Sequence, residues 1–260
     1  MKAFNAVTSR ENPLIKLVSA LQTSADKRRV NGMFVLEGLR ICKDAYDNGI
    51  RFDKLIISNT AYEKYSSDVE RFSSVSDGCF KIPDSLFKKI SDTKTPQGII
   101  AVCKIKKLDC GNIRADGKYV ALENVADPAN LGAVSRTAEA LGADGIILSS
   151  DGCDPFSPKA LRASMGTLLR MPVYIFDNFA DGIKSTGLKS YACVVDSDAV
   201  KISDCDFKNG SVVVIGNEAN GLTDEMKSTA DIAVTIPMTG RAESLNAAAA
   251  AAIAIWEMMK

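Results

Sequence analysis

Histidine is missing from all 260 residues. Its absence removes the Ser-His-Asp triad, the commonest general base and most transition-metal sites together. Cysteine occurs seven times, an odd number, and never as C-x-x-C. A disulfide framework and a zinc site are therefore disfavoured, and a reducing compartment fits. No G-x-G-x-x-G follows a strand-like run and no G-x-x-x-x-G-K-[ST] occurs, so the dinucleotide fingerprint and the P-loop are both lacking. No carboxylate cluster suggests a two-metal centre. Long apolar runs are also missing: the longest, residues 247–256, is half of the roughly 20 residues that span a bilayer. The opening MKAFNAVTSRENP lacks the apolar core of a signal peptide. These absences set the expectation of a cytoplasmic protein with no membrane partner and no metal.

What is present has an ordinary globular balance, 46% hydrophobic and 25% charged, enough to fill a sizeable core. Net charge is zero, but its distribution is not even. Residues 1–107 carry 19 Lys and Arg against 12 Asp and Glu, a surplus of 7 positive charges. The remaining 13 basic and 20 acidic residues leave an equal negative surplus in the second half. Two units with different tasks are implied, the basic one suited to an anion such as RNA or simply to solvent. Lys27, Arg28 and Arg29 are the candidates for phosphate contacts.

Apolar periodicity alternates between strand-like and helix-like throughout. In the first half, residues 12–25, 38–48 and 83–90 read as helices, and 33–37, 54–58 and 98–104 as strands. The stretch KKLDCGNIRADGK, residues 106–118, lacks periodicity and holds two glycines. It divides the chain into 1–107, a linker at 108–117, and 118–260. In the second half, 119–122, 145–148, 173–176, 191–195, 212–215 and 232–236 read as short buried strands, with helices over 130–141 and 158–169. This rhythm predicts an α/β fold whose mostly parallel sheet carries helices on both faces. Ligands in such sheets bind beyond the carboxyl ends of the strands.

Three strand ends carry polar loops. In the first, Asn130 reads as an N-cap of the helix that follows. Arg136 falls away from the apolar stripe Leu131, Val134, Ala138 and Leu141, toward solvent or a ligand. In the second, Gly216 ends an apolar strand and Gly221 precedes a helix, so backbone can approach a flat ligand closely; Glu218 and Asn220 add polar contacts. In the third, backbone around Ile236, Met238 and Leu245 can grip a nucleoside edge. Ser244 and Asn246 either cap the alanine-rich helix after them or aim at a phosphate.

The loops read N-L-G-A-V-S-R-T-A at 130–138, I-G-N-E-A-N-G-L at 215–222 and I-P-M-T-G-R-A-E-S-L-N-A at 236–247, with K-A-L-R-A-S-M-G-T-L-L-R-M-P-V at 159–173 between them. In this order and spacing they resemble the motifs of the SpoU (TrmH-like) RNA ribose 2′-O-methyltransferases of the SPOUT class. One departure is the run of six alanines after Asn246, where relatives often carry Val and Ser. In the first half, S-R-E-N-P-L-I-K at 9–16, K-R-R at 27–29 and G-M-F-V-L-E-G at 32–38 resemble the ribosomal-protein-like substrate-binding domain of the rRNA-directed branch.

The resemblance implies a trefoil knot, a homodimer whose active site draws on both subunits, and S-adenosylmethionine as methyl donor. It places Gly216, Asn217, Ile236, Met238 and Leu245 against the donor. It places Asn130, Arg136, Glu218, Ser244 and Asn246 on the catalytic side. Arg136 is either the base for the ribose hydroxyl or a stabiliser of charge on the attacking oxygen, a guanidinium being a weak base. Ribosomal RNA stands ahead of transfer RNA as substrate. A binding-only module on an inactive fold is the competing reading.

Overall fold

The computed structural model describes residues 2–208 and 210–260 of the chain. They divide into two compact units: one runs to Lys106 and takes in Phe156–Arg162, and the other comprises Lys107–Pro155 and Ala163–Lys260.

The first unit contains β1 (Asn5–Ala6), α1 (Pro13–Thr23), α2 (Ala25–Asn31), β2 (Met33–Glu37), α3 (Leu39–Asp47), β3 (Phe52–Ser58), α4 (Asn59–Lys64), α5 (Ser66–Ser74), β4 (Ser76–Ile82), α6 (Asp84–Ile90) and β5 (Ile99–Lys104). Its five strands lie in the order β1-β4-β3-β5-β2, with β5 antiparallel to both its neighbours. Helix α1 starts where it does because Asn12 accepts a hydrogen bond from the Leu14 N–H and Pro13 pre-sets the first turn. Its buried stripe Ile15, Val18 and Leu21 meets Leu86, Phe87 and Ile90 of α6 over one face of the sheet. Residues 59–82, which carry no clear periodicity in the sequence, form α4, α5 and β4. Strand β4 begins Ser76-Asp77-Gly78, too polar to announce itself, yet it pairs with β3 on one side and β1 on the other.

The basic run also departs from expectation. Lys27 and Arg29 are exposed on α2, but Arg28 is 5% exposed. Its guanidinium donates to the backbone carbonyls of Leu21 and Gln22, the last turn of α1. Those carbonyls have no partner inside their own helix, and a cation there also opposes the helix dipole. Arg28 therefore joins two helices and is withdrawn from the surface; the phosphate-contact assignment does not hold for it.

The second unit holds β6 (Lys118–Leu122), α7 (Pro128–Leu141), β7 (Gly145–Ser149), α8 (Pro158–Ala163, its last residue only), α9 (Thr167–Arg170), β8 (Val173–Phe176), α10 (Phe179–Ser185), β9 (Lys189–Cys193), β10 (Val200–Lys201), β11 (Ser211–Ile215), α11 (Asp224–Thr229), β12 (Ile232–Thr235) and α12 (Ala247–Met259). All seven strands are parallel, in the order β10-β12-β9-β11-β6-β7-β8. Central strand β11, S-V-V-V-I, is buried at every residue. Its Val212 and Val214 face Phe179, Ile183 and Met226 of α10 and α11. On the other side α12 packs on β11, β6 and α7. Helices thus cover both faces, as a parallel sheet of this composition requires.

Two expectations within this unit change. The helix expected over 158–169 is interrupted: Met165 has φ +51 and Gly166 φ +88, separating α8 from α9. The end of α8 lies close against α7: a Cβ on Gly132 would stand 2.5 Å from the Ala163 Cβ. Asn130 is not the cap of α7. Asp127 is, accepting from the Ala129 N–H at 2.9 Å, with Pro128 at the first position.

Candidate active site

The chain builds β6, β7 and β8 outward from the middle of the sheet, then returns to place β9, β11 and β12 on the other side of β6. Where the direction of winding reverses, loops leaving neighbouring strands separate and a crevice opens at their carboxyl ends. A cavity of about 560 Å³ lies on the β11 side of that point, beyond the carboxyl ends of β9, β11 and β12. Its walls are the turn after β9 (Val194–Asp196), the loop after β11 (Gly216–Leu222), Ile236 and Met238 after β12, and Ser244, Leu245 and Ala247 leading into α12. Its size suits a nucleoside-sized ligand.

The loop after β11 is a tight hairpin. Asn217 and Gly221 exchange backbone hydrogen bonds at 3.0 and 2.9 Å, and Gly221 takes φ +66. The Asn217 carboxamide oxygen accepts from the N–H groups of Ala219 and Asn220 at 2.9 and 3.2 Å. Gly216 owes its identity to this hairpin: a Cβ there would stand 2.2 Å from the Gly221 carbonyl carbon. The closeness that excludes a side chain is thus first to the chain itself. At the base of the hairpin, Glu123 (4% exposed) accepts from the Thr223 N–H at 2.8 Å and its hydroxyl at 2.6 Å.

Beside the cavity the start of α7, the hairpin and the start of α12 are joined by side chains. The Asn130 amide donates to Glu218 Oε1 at 2.7 Å, and the Asn246 amide donates to Asn130 Oδ1 at 3.1 Å. The Asn246 carboxamide oxygen accepts from the Ala248 and Ala249 N–H groups, so it also caps α12. One end of the Asn246 side chain thus caps α12, the first of the two alternatives in the sequence, while the other end is bound to Asn130. Burial pushes the Glu218 carboxyl upward in pKa, but the Asn130 amide and nearby backbone N–H groups more than offset it. The net effect holds Glu218 below the usual glutamate range, an anion at neutral pH.

Seven of the ten candidate residues in this unit line the cavity: Gly216, Asn217, Glu218, Ile236, Met238, Ser244 and Leu245. At its edge Asn130 is bonded to Glu218, and Asn246 to Asn130. Arg136 stands apart, exposed on α7 and outside the cavity lining. Sequence reasoning missed the wall at Val194–Asp196, which carries no motif and is found only once β9 is known to lie beside β11. It also missed Asn124 and Ser149, whose bonds tie β6, β7 and the hairpin together.

Comparison with known proteins identifies the family. Residues 117–256 match the SpoU rRNA Methylase family, and residues 12–101 match the MRM3-like substrate binding domain. The chain is 29% identical over 255 residues to the 23S rRNA (guanosine(2553)-2′-O)-methyltransferase RlmP of Bacillus subtilis, covering 97% of this chain and 98% of that one. It is 28% identical over 269 residues to the 23S rRNA (uridine(2479)-2′-O)-methyltransferase of Streptomyces viridochromogenes, covering 99% and 93%. Among solved structures, an AdoMet-bound rRNA methyltransferase from Sinorhizobium meliloti superposes with a TM-score of 0.84 at 30% identity, covering 98% and 97%. The SpoU methyltransferase AviRb of Streptomyces viridochromogenes, in complex with AdoMet, gives 0.83 at 26% identity, covering 96% and 97%.

Proposed function

The chain belongs to the SpoU rRNA methylase family and is an S-adenosylmethionine-dependent RNA ribose 2′-O-methyltransferase; from that premise we propose that ribosomal RNA is its substrate and the cavity beyond β11 its donor site. The observation that carries the site assignment is the convergence of Gly216–Leu222, Ile236, Met238 and Leu245 on one cavity of fitting size. Its backbone-rich rim offers N–H and C=O groups to a nucleoside, and Leu222, Ile236, Leu245 and Ala247 offer apolar surface. The bound donor supplies an activated methyl group, so the protein's own work is to position and to stabilise charge. Glu218, anionic and held by Asn130, sets one edge of the site near the positively charged donor.

Arg136 is assigned to the ribose side, where its guanidinium pairs with a substrate phosphate and stabilises charge on the attacking oxygen. Its exposure away from the cavity of its own chain supports action on the cavity of a second copy. A second observation favours pairing: α12 exposes Ala249, Ile253 (37%) and Trp256 (54%) along one face, in line with Leu245 (37%). The basic first unit supplies RNA contacts through exposed Lys27 and Arg29. The two relatives' names give different bases, guanosine and uridine, at different positions. Base choice is therefore assigned to surfaces outside the shared donor site.

The test is transfer of labelled methyl from S-adenosylmethionine to ribosomal RNA, followed by mapping of 2′-O-methyl positions. Arg136→Ala is expected to lower kcat by about 10²- to 10³-fold and to weaken RNA binding only by the weight of one phosphate contact. Mixing Arg136→Ala with Gly216→Val, each inactive alone, is expected to restore about a quarter of the native rate if the arginine acts across a twofold pair. No restoration places Arg136 in its own chain's site, and full activity of Arg136→Ala removes it from the site.

A further inference from the structure

Asn124 follows β6 in the left-handed region, φ +55, one of only two non-glycine residues with positive φ among those described. Such a conformation persists where surrounding bonds over-determine it. Here they do. The Asn124 N–H donates to Ser149 Oγ at 2.7 Å, and the Ser149 hydroxyl donates back to Asn124 Oδ1 at 2.9 Å. Ser149 is the last residue of β7 and is 6% exposed, so this closed pair is fixed to the neighbouring strand. The turned backbone leaves the Asn124 carbonyl oxygen to accept the Asn217 side-chain amide at 2.7 Å. The other end of that carboxamide holds the Ala219 and Asn220 N–H groups of the hairpin rimming the cavity.

A continuous path thus runs from the interior end of β7 to the cavity rim: Ser149 fixes Asn124, Asn124 fixes Asn217, and Asn217 folds the hairpin. The middle link depends on backbone direction. With Asn124 in an ordinary extended or helical conformation its carbonyl would point elsewhere, and the Asn217 amide would lose its acceptor. Asparagine is suited to the post because it tolerates the left-handed region and carries an oxygen for the serine hydroxyl.

We propose that Ser149 and Asn124 are positioning residues for methyl transfer, acting through Asn217 to hold the Gly216–Leu222 hairpin in its donor-binding shape. Neither lines the cavity, so each acts only through the loop. The proposal rests on the donor-site assignment made above, and its test separates the two.

Amide hydrogen exchange on the donor-free protein reads the path directly. In Ser149→Ala, the peptide covering 216–222 is expected to exchange about tenfold faster, the weight of one lost hydrogen bond, while α7 (Pro128–Leu141) is unchanged. Equal protection of the hairpin, or equal loss of protection across the whole second unit, overturns the proposal. Asn124→Asp keeps the oxygen and the tolerance for positive φ and is expected to match the native hairpin; Asn124→Ala is expected to loosen it. This pair decides the matter should Ser149→Ala fail to fold, and identical behaviour of Asp and Ala overturns the proposal. Calorimetric titration with S-adenosylmethionine is then expected to show about tenfold weaker binding in the loosened variant, with kcat at saturating donor within about threefold of native. A native protein that binds no donor counts against the donor-site assignment and leaves the exchange result to judge the path.

Discussion

Three cations adjacent on α2 and three polar residues scattered through the second unit meet opposite outcomes. Lys27, Arg28 and Arg29 are consecutive, yet only the outer two reach solvent while Arg28 turns inward to the end of α1. Asn130 in the first turn of α7, Glu218 in the hairpin after β11 and Asn246 at the cap of α12 are far apart in sequence, yet they form one chain of hydrogen bonds. Helix geometry explains the first outcome, because consecutive residues stand about 100° apart and cannot share a face. Sheet geometry explains the second, because parallel strands deliver all their carboxyl ends to one edge. A charge run therefore overstates a surface, and scattered polar residues at strand ends understate a site.

The comparison can be broken most severely at Gly216. A methyl group there meets the Gly221 backbone and must displace the hairpin on which the convergence depends. Gly216→Ala is expected to weaken S-adenosylmethionine binding about 10- to 100-fold, the weight of overpacking at a site that cannot yield, measured by calorimetry. Native affinity in that variant would show that the hairpin adapts and that the donor is held elsewhere.

The α2 side is sharpened by separating the three cations. Arg28→Ala leaves two carbonyls without their donor and is expected to cost about 1–2 kcal/mol in denaturant unfolding. The slope of RNA affinity against salt should not change. Lys27→Ala with Arg29→Ala is expected to do the reverse, leaving stability within about 0.5 kcal/mol and reducing the salt slope by about 1 to 2. An unchanged slope in the double variant removes these two from the RNA surface.

The smallest effect concerns pH. Glu218 is lowered in pKa by folding, so its contribution is present above the ordinary glutamate value and is lost as pH falls through the depressed one. Melting temperature is expected to fall slightly across that acidic window, and Glu218→Gln to flatten that part of the profile. A profile identical in both proteins would mean that the Asn130–Glu218 bond carries no charge-dependent stability.

Much of this site was legible because its signals are local. Short β-branched runs mark parallel strands, and Gly216 and Gly221 mark the two ends of the loop after β11. The turn from Ile236 through Asn246 marks the start of α12. Where the reading failed, local preference was overruled at a distance. Asn130 has the chemistry of a cap, but Asp127 took that position and left Asn130 to reach Glu218. Residues 158–169 have helical periodicity, but the backbone turns left-handed at Met165 and Gly166, just past the close approach of α7 at Ala163.

By itself the sequence determined the alternating elements, the parallel sheet and the loops that carry polar groups, since each follows from residue spacing and backbone preference over a few residues. Only the tertiary structure decided which strands became neighbours, and with that the cavity wall after β9, the inward turn of Arg28 and the path from Ser149 to Asn217. Those depend on which buried donors and acceptors meet across the packed interior, where an unpaired group is costly and every contact is shared between distant segments.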